Sequence, residues 1–173
     1  MTVMTSPTQT TPVALPRLYE LSRSDLAAWC TAQGYPAYRA DQIRRWIFGK
    51  RVDDFAAMHD IPATLRSLLA EQFTLFPATL QQHLVSTDGT QKLLLQLPDG
   101  EFIECVLMPT AERRTICIST QVGCAMGCVF CASGLRGLKR NLTTGEILEQ
   151  VLRLDRLLAL EERITNVVVM GIG

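Results

Sequence analysis

A chain of 173 residues, 47% hydrophobic and 20% charged, is long enough to bury a core and too apolar to be disordered throughout. Its 17 basic and 17 acidic residues cancel, which excludes a strong overall field for a polyanion and leaves any nucleic-acid contact to local patches. No run approaches the roughly 18 apolar residues of a membrane span, so the chain is expected in the cytoplasm, where clustered cysteines favour metal binding over structural disulfides.

Residues 1–16, MTVMTSPTQTTPVALP, lack the basic start and apolar run of a signal peptide and read as a flexible Thr- and Pro-rich tail. From 17 to 76 the pattern is helical. Ser24 followed by Asp25 predicts a capped helix through Gln33, ended by Gly34 and Pro36. Ala40 to Phe48 repeats the sign, with Ile43, Trp46 and Ile47 at i, i+3 and i+4 and Gly49 closing it. A third helix is expected from Pro62 to Gln72, with Leu65, Leu68 and Leu69 on one face and the proline tolerated at its start. These pieces make a small helical domain. Arg44, Arg45, Lys50 and Arg51 around Trp46 form a basic cluster, as do Arg136, Lys139 and Arg140 further on, and each is either a nucleic-acid contact or a solvated charged face.

Over 77–109 the character changes to a β-meander: Leu80 to Val85, Lys92 to Leu97 and Phe102 to Met108 are β-like runs separated by Asp88-Gly89 and Asp99-Gly100. Thr115 to Thr120 is a fourth strand leading directly into a cysteine loop. Thr143 or Thr144 with Glu146 then starts a helix through about Leu158, and Ile164 to Met170 reads as a fully buried strand. Strand, helix, strand is the opening βαβ unit of a parallel α/β fold, so 110–173 is the first part of such a domain. Two parallel strands cannot cover their own faces, which makes the chain an expected fragment of a longer protein.

Cys124, Cys128 and Cys131 have C-x3-C-x2-C spacing, and three thiolates so close in sequence can wrap one [4Fe-4S] cubane, so their sulfurs are expected to lie together in one loop after the Thr115 to Thr120 strand even without iron. A structural zinc site would need a second pair, whereas Cys30, Cys105 and Cys117 are scattered singly. Three ligands leave one iron open to chelate the amino and carboxylate groups of S-adenosylmethionine (SAM), whose carbon-sulfur bond an electron then cleaves to a 5′-deoxyadenosyl radical. Phe130, between the last two cysteines, suits either a place beside the adenine or plain packing.

The run Cys117-Ile-Ser-Thr-Gln-Val-Gly-Cys124, the cluster loop, Arg140-Asn-Leu-Thr and Asn166-Val-Val-Val-Met-Gly-Ile-Gly173 together closely resemble the RlmN family of radical SAM enzymes. Tyr38-Arg-Ala-Asp-Gln42 and Ile103-Glu-Cys-Val-Leu-Met-Pro109 extend the resemblance over nearly all of the chain. It implies an α/β protein in which an RNA-contacting helical accessory domain and an antiparallel β-meander precede the first βαβ unit of a partial (β/α) barrel. It also implies methylation of adenine C2 in 23S rRNA and tRNA through a methyl-cysteine intermediate, with an electron donor such as flavodoxin and no membrane.

By the same resemblance Glu104 is the acceptor of the C2 proton, and Cys117 is the thiol that resolves a protein-RNA crosslink by disulfide exchange with the methyl-carrying cysteine. Gly173 is the first residue of a Gly-Glu pair contacting SAM. The Glu of that pair and the methyl-carrying cysteine lie outside this sequence. Without the resemblance, Glu104 reads as a solvent-facing strand residue and Cys117 as a small buried one. A Cfr-like enzyme methylating adenine C8 shares the cysteine loop, and an RNA-binding module with a purely structural cluster is the reading from another class.

Overall fold

In the computed structural model, which describes residues 15–135 and 137–173, two hydrophobic cores follow one another along the chain. The first lies among helices α1 (Arg23–Ala32), α2 (Arg39–Arg44) and α3 (Ala63–Gln72). Apolar residues at helical spacing bring Leu26, Cys30, Ile43, Ile47, Leu65 and Leu69 together around Met58 and Ile61. The cap of α1 is Ser22, not the expected Ser24: its Oγ accepts from the Asp25 N–H at 3.1 Å. A capping oxygen must reach the N–H of the second or third helical residue, and Ser24 already lies inside the first turn. The helix expected from Ala40 to Phe48 changes character midway, because α2 gives way to a wider π turn over Arg45–Gly49, closed by the Lys50 N–H on the Arg45 carbonyl at 2.9 Å.

The second core belongs to a sheet and one helix. Strands β1 (Thr79–Val85), β2 (Gln91–Gln96), β3 (Phe102–Pro109) and β4 (Arg114–Cys117) pair antiparallel in chain order. Beyond β4, strands β5 (Gln121–Gly123) and β6 (Leu138–Asn141) form a separate two-stranded ribbon. Helix α4 (Thr144–Asp155) then crosses to β7 (Asn166–Val168), which lies parallel to β4, so the larger sheet runs β1-β2-β3-β4-β7. Alternation sends Leu93, Leu95, Ile103, Cys105 and Leu107 to the face where Leu154 and Leu158 cover them. Glu104 and Val106 take the opposite face.

The strand expected to be fully buried is not. Val167 on β7 is 53% exposed, and Val169 and Met170 beyond it are exposed as well. A parallel strand is buried only when it has neighbours at both edges and layers on both faces, and among the described residues β7 is paired with β4 alone. Among the described residues no helix is long and apolar enough to cross a membrane.

The start of α4 is a complete capping box: Thr143 Oγ1 accepts from the Glu146 N–H at 3.2 Å, and Glu146 Oε2 accepts from the Thr143 N–H at 2.8 Å. Arg140 donates to both Glu146 oxygens at 2.8 Å. Burial alone pushes the Glu146 carboxyl up, but the bonds from Arg140 and Thr143 outweigh it and hold the group below the usual carboxylate range. Glu146→Gln is expected to lose about 1 kcal/mol of stability at neutral pH. Stability from a depressed carboxyl is present above its unfolded pKa and lost as pH falls through the folded one, so the two proteins should converge in acid. Denaturant melts across that range check it, and a gap unchanged in acid would contradict it.

The two cores are joined by exchanged arginines. Arg51, just past the π turn, donates to the carbonyls of Leu158 and Ala159 at 3.1 and 2.7 Å and to that of Glu162 at 2.5 Å, and it pairs with Asp155 at 2.7 Å. In return Arg156 donates to the carbonyls of Val52 and Ile47 at 2.7 and 3.2 Å and lies over the Phe76 ring. Burial lowers the Arg156 pKa to about 10, still leaving it charged at neutral pH. Tyr19 adds a bond from its hydroxyl to the Gly145 carbonyl at the other end of α4.

Candidate functional site

The cysteine loop hangs between β5 and β6, a ribbon the sequence reading omits because its strands are three and four residues long. The ribbon closes the loop at its neck. Gly123 has φ +70°, and a Cβ there would sit 2.0 Å from the Gly137 carbonyl oxygen, so only glycine fits. One residue on, the Cys124 N–H donates to that same oxygen at 3.2 Å. Inside the loop the Cys131 N–H donates to the Cys128 carbonyl at 3.1 Å, and a short 3-10 turn follows over Ala132–Gly134.

Cys124 is buried, Cys131 half-buried and Cys128 exposed. All six cysteines are free thiols. The expectation that the three sulfurs already converge is not met: among the described residues no three His, Cys, Asp or Glu side chains gather as a metal-ligand set. Thiols do not attract one another and thiolates repel, so the loop's backbone bonds alone set where each points. The donor chemistry nevertheless fits an iron-sulfur cluster, with three thiols in one short loop. Hydrogen bonds from the Ser133 backbone and hydroxyl and from the Gly134 N–H hold the Cys131 thiol below its ordinary range, towards the thiolate that iron binds. Phe130 is 90% exposed, and Met126, Val129 and Leu135 are exposed beside it.

Glu104 and Cys117 lie on neighbouring strands. Val106 is paired opposite Cys117, and Glu104 is two residues along β3, so all three share the sheet face away from α4. A diagonal pair of this kind is separated by about 7–8 Å. The Glu104 carboxylate is 2.9 Å from Lys92 Nζ in an exposed pair, while Cys117 is half-buried. Gly171 passes over the same place: a Cβ on it would lie 3.6 Å from Cys117 Sγ.

Gly173 makes a close approach, although the group approached is the chain's own Thr120, whose Oγ1 would be 2.3 Å from an added Cβ. The Thr120 and Gln121 N–H groups both donate to the Ile172 carbonyl, at 2.8 and 3.3 Å. A cleft of about 170 Å³ opens next to this turn, lined by Phe102, Val122, Ser133, Lys139 and Ile172 among others. It runs between the cysteine loop and the 171–173 segment. Neither Glu104 nor Cys117 lines it.

A family model described as the ribosomal RNA large subunit methyltransferase N-terminal domain matches residues 17–75. Over 171 residues the chain is 50% identical to the probable dual-specificity RNA methyltransferase RlmN of Rhodopirellula baltica, covering 99% of this chain and 46% of that protein. It is 46% identical over 161 residues to the dual-specificity RNA methyltransferase RlmN of Desulfosudis oleivorans, covering 92% and 43%. Over nearly all of its length the chain is thus similar to RlmN methyltransferases. The crystal structure of a radical SAM methyltransferase from Sphaerobacter thermophilus superposes with a TM-score of 0.84 at 44% identity, over 91% of this chain and 47% of that one. The chain thus spans about half the length of the RlmN relatives it matches.

The two basic clusters of this RlmN-like chain fare differently. Arg51 is buried in the joint between the cores and leaves the first cluster, since four of its five guanidinium hydrogens are bonded to three carbonyls and a carboxylate there and burial keeps the group from a phosphate. What remains is an interleaved basic and aromatic face: Lys50 lies 3.5 Å from the Trp46 ring centre, Arg44 lies over Phe48 and Arg39 over Tyr38. Tyr38 and Phe48 are both exposed. The reading from sequence leaves both out of the basic cluster, although the i, i+4 spacing of Arg44 and Phe48 is a usable signal. In the second cluster Lys139 is bonded to Glu101 and Arg140 to Asp99 and Glu146, so its charge is answered within the chain; Arg136 lies outside the described residues. Cys30 and Cys105 are buried in the two cores, and burial pushes the Cys105 thiol up to about 12.

Proposed function

We propose that this chain is part of a cytoplasmic radical SAM methyltransferase that forms 2-methyladenosine in 23S rRNA and tRNA through a methyl-cysteine intermediate. The reading is carried by the three-cysteine loop that follows β4, together with the sheet face shared by Glu104 and Cys117, in a chain half identical to a probable dual-specificity RNA methyltransferase. The relatives' names favour this over a Cfr-like C8 enzyme.

Cys124, Cys128 and Cys131 would hold a [4Fe-4S] cluster, with a donor such as flavodoxin as its electron source. When bound, the cluster supplies the electron that cleaves a carbon-sulfur bond of SAM. The backbone at Gly173 and the ring of Phe130 would contact SAM. The helices of 17–76 contact the RNA through the basic and aromatic face around Trp46, the meander of 77–109 carries Glu104, and 110–173 opens the catalytic domain.

Two residues serve the later steps. Glu104 takes the C2 proton from the adduct; its exposed pair with Lys92 contributes at most about 1 kcal/mol and yields readily to a ligand. The Cys117 thiolate attacks the sulfur that links protein to RNA, forming a disulfide as the carbon-sulfur bond breaks, and the released carbon keeps that electron pair and takes up a proton to become the product methyl group. In the full-length enzyme, Cys117→Ala should cleave SAM normally yet accumulate covalent protein-RNA adduct, seen as an RNA-bearing band that survives denaturation. Normal 2-methyladenosine formation without adduct would overturn the assignment.

A further inference from the structure

We propose that Gln150 and Ser119 are positioning residues that fix Cys117 and Glu104 relative to the cysteine loop, an inference that rests on the roles given to those two residues above. Both side chains are completely buried. Gln150, projecting from α4, accepts the Ser119 N–H on its Oε1 at 2.8 Å and donates from Nε2 to the Ser119 carbonyl at 3.0 Å. One primary amide thus takes both backbone groups of a single residue, as a neighbouring strand would. Its second donor hydrogen goes to the Glu146 carbonyl at 3.3 Å, so both donor hydrogens of the buried amide are used.

Ser119 passes the constraint on. The backbone ladder between β3 and β4 ends at the pair Val106 and Cys117, and the next rung is made by a side chain: Ser119 Oγ donates to the Glu104 carbonyl at 2.7 Å. The chain is then pinned again at once, by Leu142 N–H on the Thr120 carbonyl at 2.8 Å and by the Ile172 carbonyl on the two following N–H groups. Ser119 is therefore where α4, β3, β4 and the approach to Cys124 meet. Apolar packing would bury this junction equally well, but it is non-directional, whereas three hydrogen bonds fix rotation and register. Register matters because a slip by one residue would carry Cys117 to the other face of the sheet, away from Glu104.

The test uses Ser119→Ala, which deletes one oxygen, and Gln150→Leu, which removes the amide at similar volume. In the full-length enzyme both variants should keep parental iron and sulfide content and SAM cleavage, with an unchanged KM for RNA. The kcat for 2-methyladenosine should fall by up to about 100-fold, with protein-RNA adduct accumulating. A second readout needs no cofactor: in the chain alone, iodoacetamide labelling of Cys117, mapped by peptide mass spectrometry, should quicken about fivefold in Ser119→Ala as the strand end opens. Should Gln150→Leu not fold, Ser119→Ala carries the test. Parental kcat and labelling in Ser119→Ala would overturn the inference while leaving Cys117 in its role, provided Cys117→Ala still accumulates adduct. A Cys117→Ala enzyme without adduct would sink the underlying reading instead.

Discussion

A Cys128→Ala protein reconstituted without oxygen is expected to lose its iron and sulfide essentially completely. A cubane held by three protein thiolates has no spare ligand on the protein side, so removing one leaves two. No other thiol can step in: Cys30 lies in the helical core, Cys105 is buried under α4 with its thiol pushed up to about 12, and Cys117 belongs to β4 before the ribbon. Cys128 is also the exposed member of the three, so its loss leaves no cavity and should scarcely change folding. Cys105→Ala is the matched control, expected to cost some stability and no iron. Parental iron and sulfide in Cys128→Ala would remove the cluster assignment altogether.

The chemistry of the site was legible because it is local. C-x3-C-x2-C is a statement about eight consecutive residues, and Gly123 and Gly137, which close the loop, sit within reach of any reader of turn signals. The convergence of the three sulfurs was not legible, and the fold does not supply it: spacing says that thiols can share a cluster, whereas their directions depend on backbone bonds such as Cys131 to Cys128. Charge misled in the same way. Arg51, Lys139 and Arg140 look free in sequence, yet their partners, Asp155, Glu101, Asp99 and Glu146, are distant along the chain or on another element.

The helices, the meander and the βαβ crossover followed from periodicity, since 3.6- and 2-residue patterns both survive in a single chain. Two things did not follow. The β5–β6 ribbon is too short to show a pattern, and the apolar run of β7 gives no sign of whether a second neighbour covers it. Ser119 and Gln150 were equally invisible, because a buried serine and glutamine differ from exposed ones only in their partners.

Arg51→Ala is expected to destabilise the chain by about 3–5 kcal/mol, measured by denaturant unfolding, because it strands Asp155 and the carbonyls of Leu158, Ala159 and Glu162 inside the joint. These carbonyls follow the end of α4, where the helix dipole is negative and a guanidinium is favoured. Against this stands the backbone of Arg51, whose φ of +57° is costly for any residue with a Cβ. Arg51→Gly relieves that strain while losing the same partners, so it should be about 1 kcal/mol more stable than Arg51→Ala. Arg51→Lys keeps the charge without the fork and cannot reach three carbonyls at once, so it should recover only part of the loss. A loss under about 1 kcal/mol in Arg51→Ala would mean that the joint is solvated and the pair with Asp155 an ordinary surface contact. Arg156→Ala probes the same joint from the other side, through Ile47 and Val52. Once Arg51 is gone the two cores part more easily, so removing Arg156 as well should cost less than it does alone. Full additivity in that double-mutant cycle would make the two arginines independent straps instead of one coupled joint.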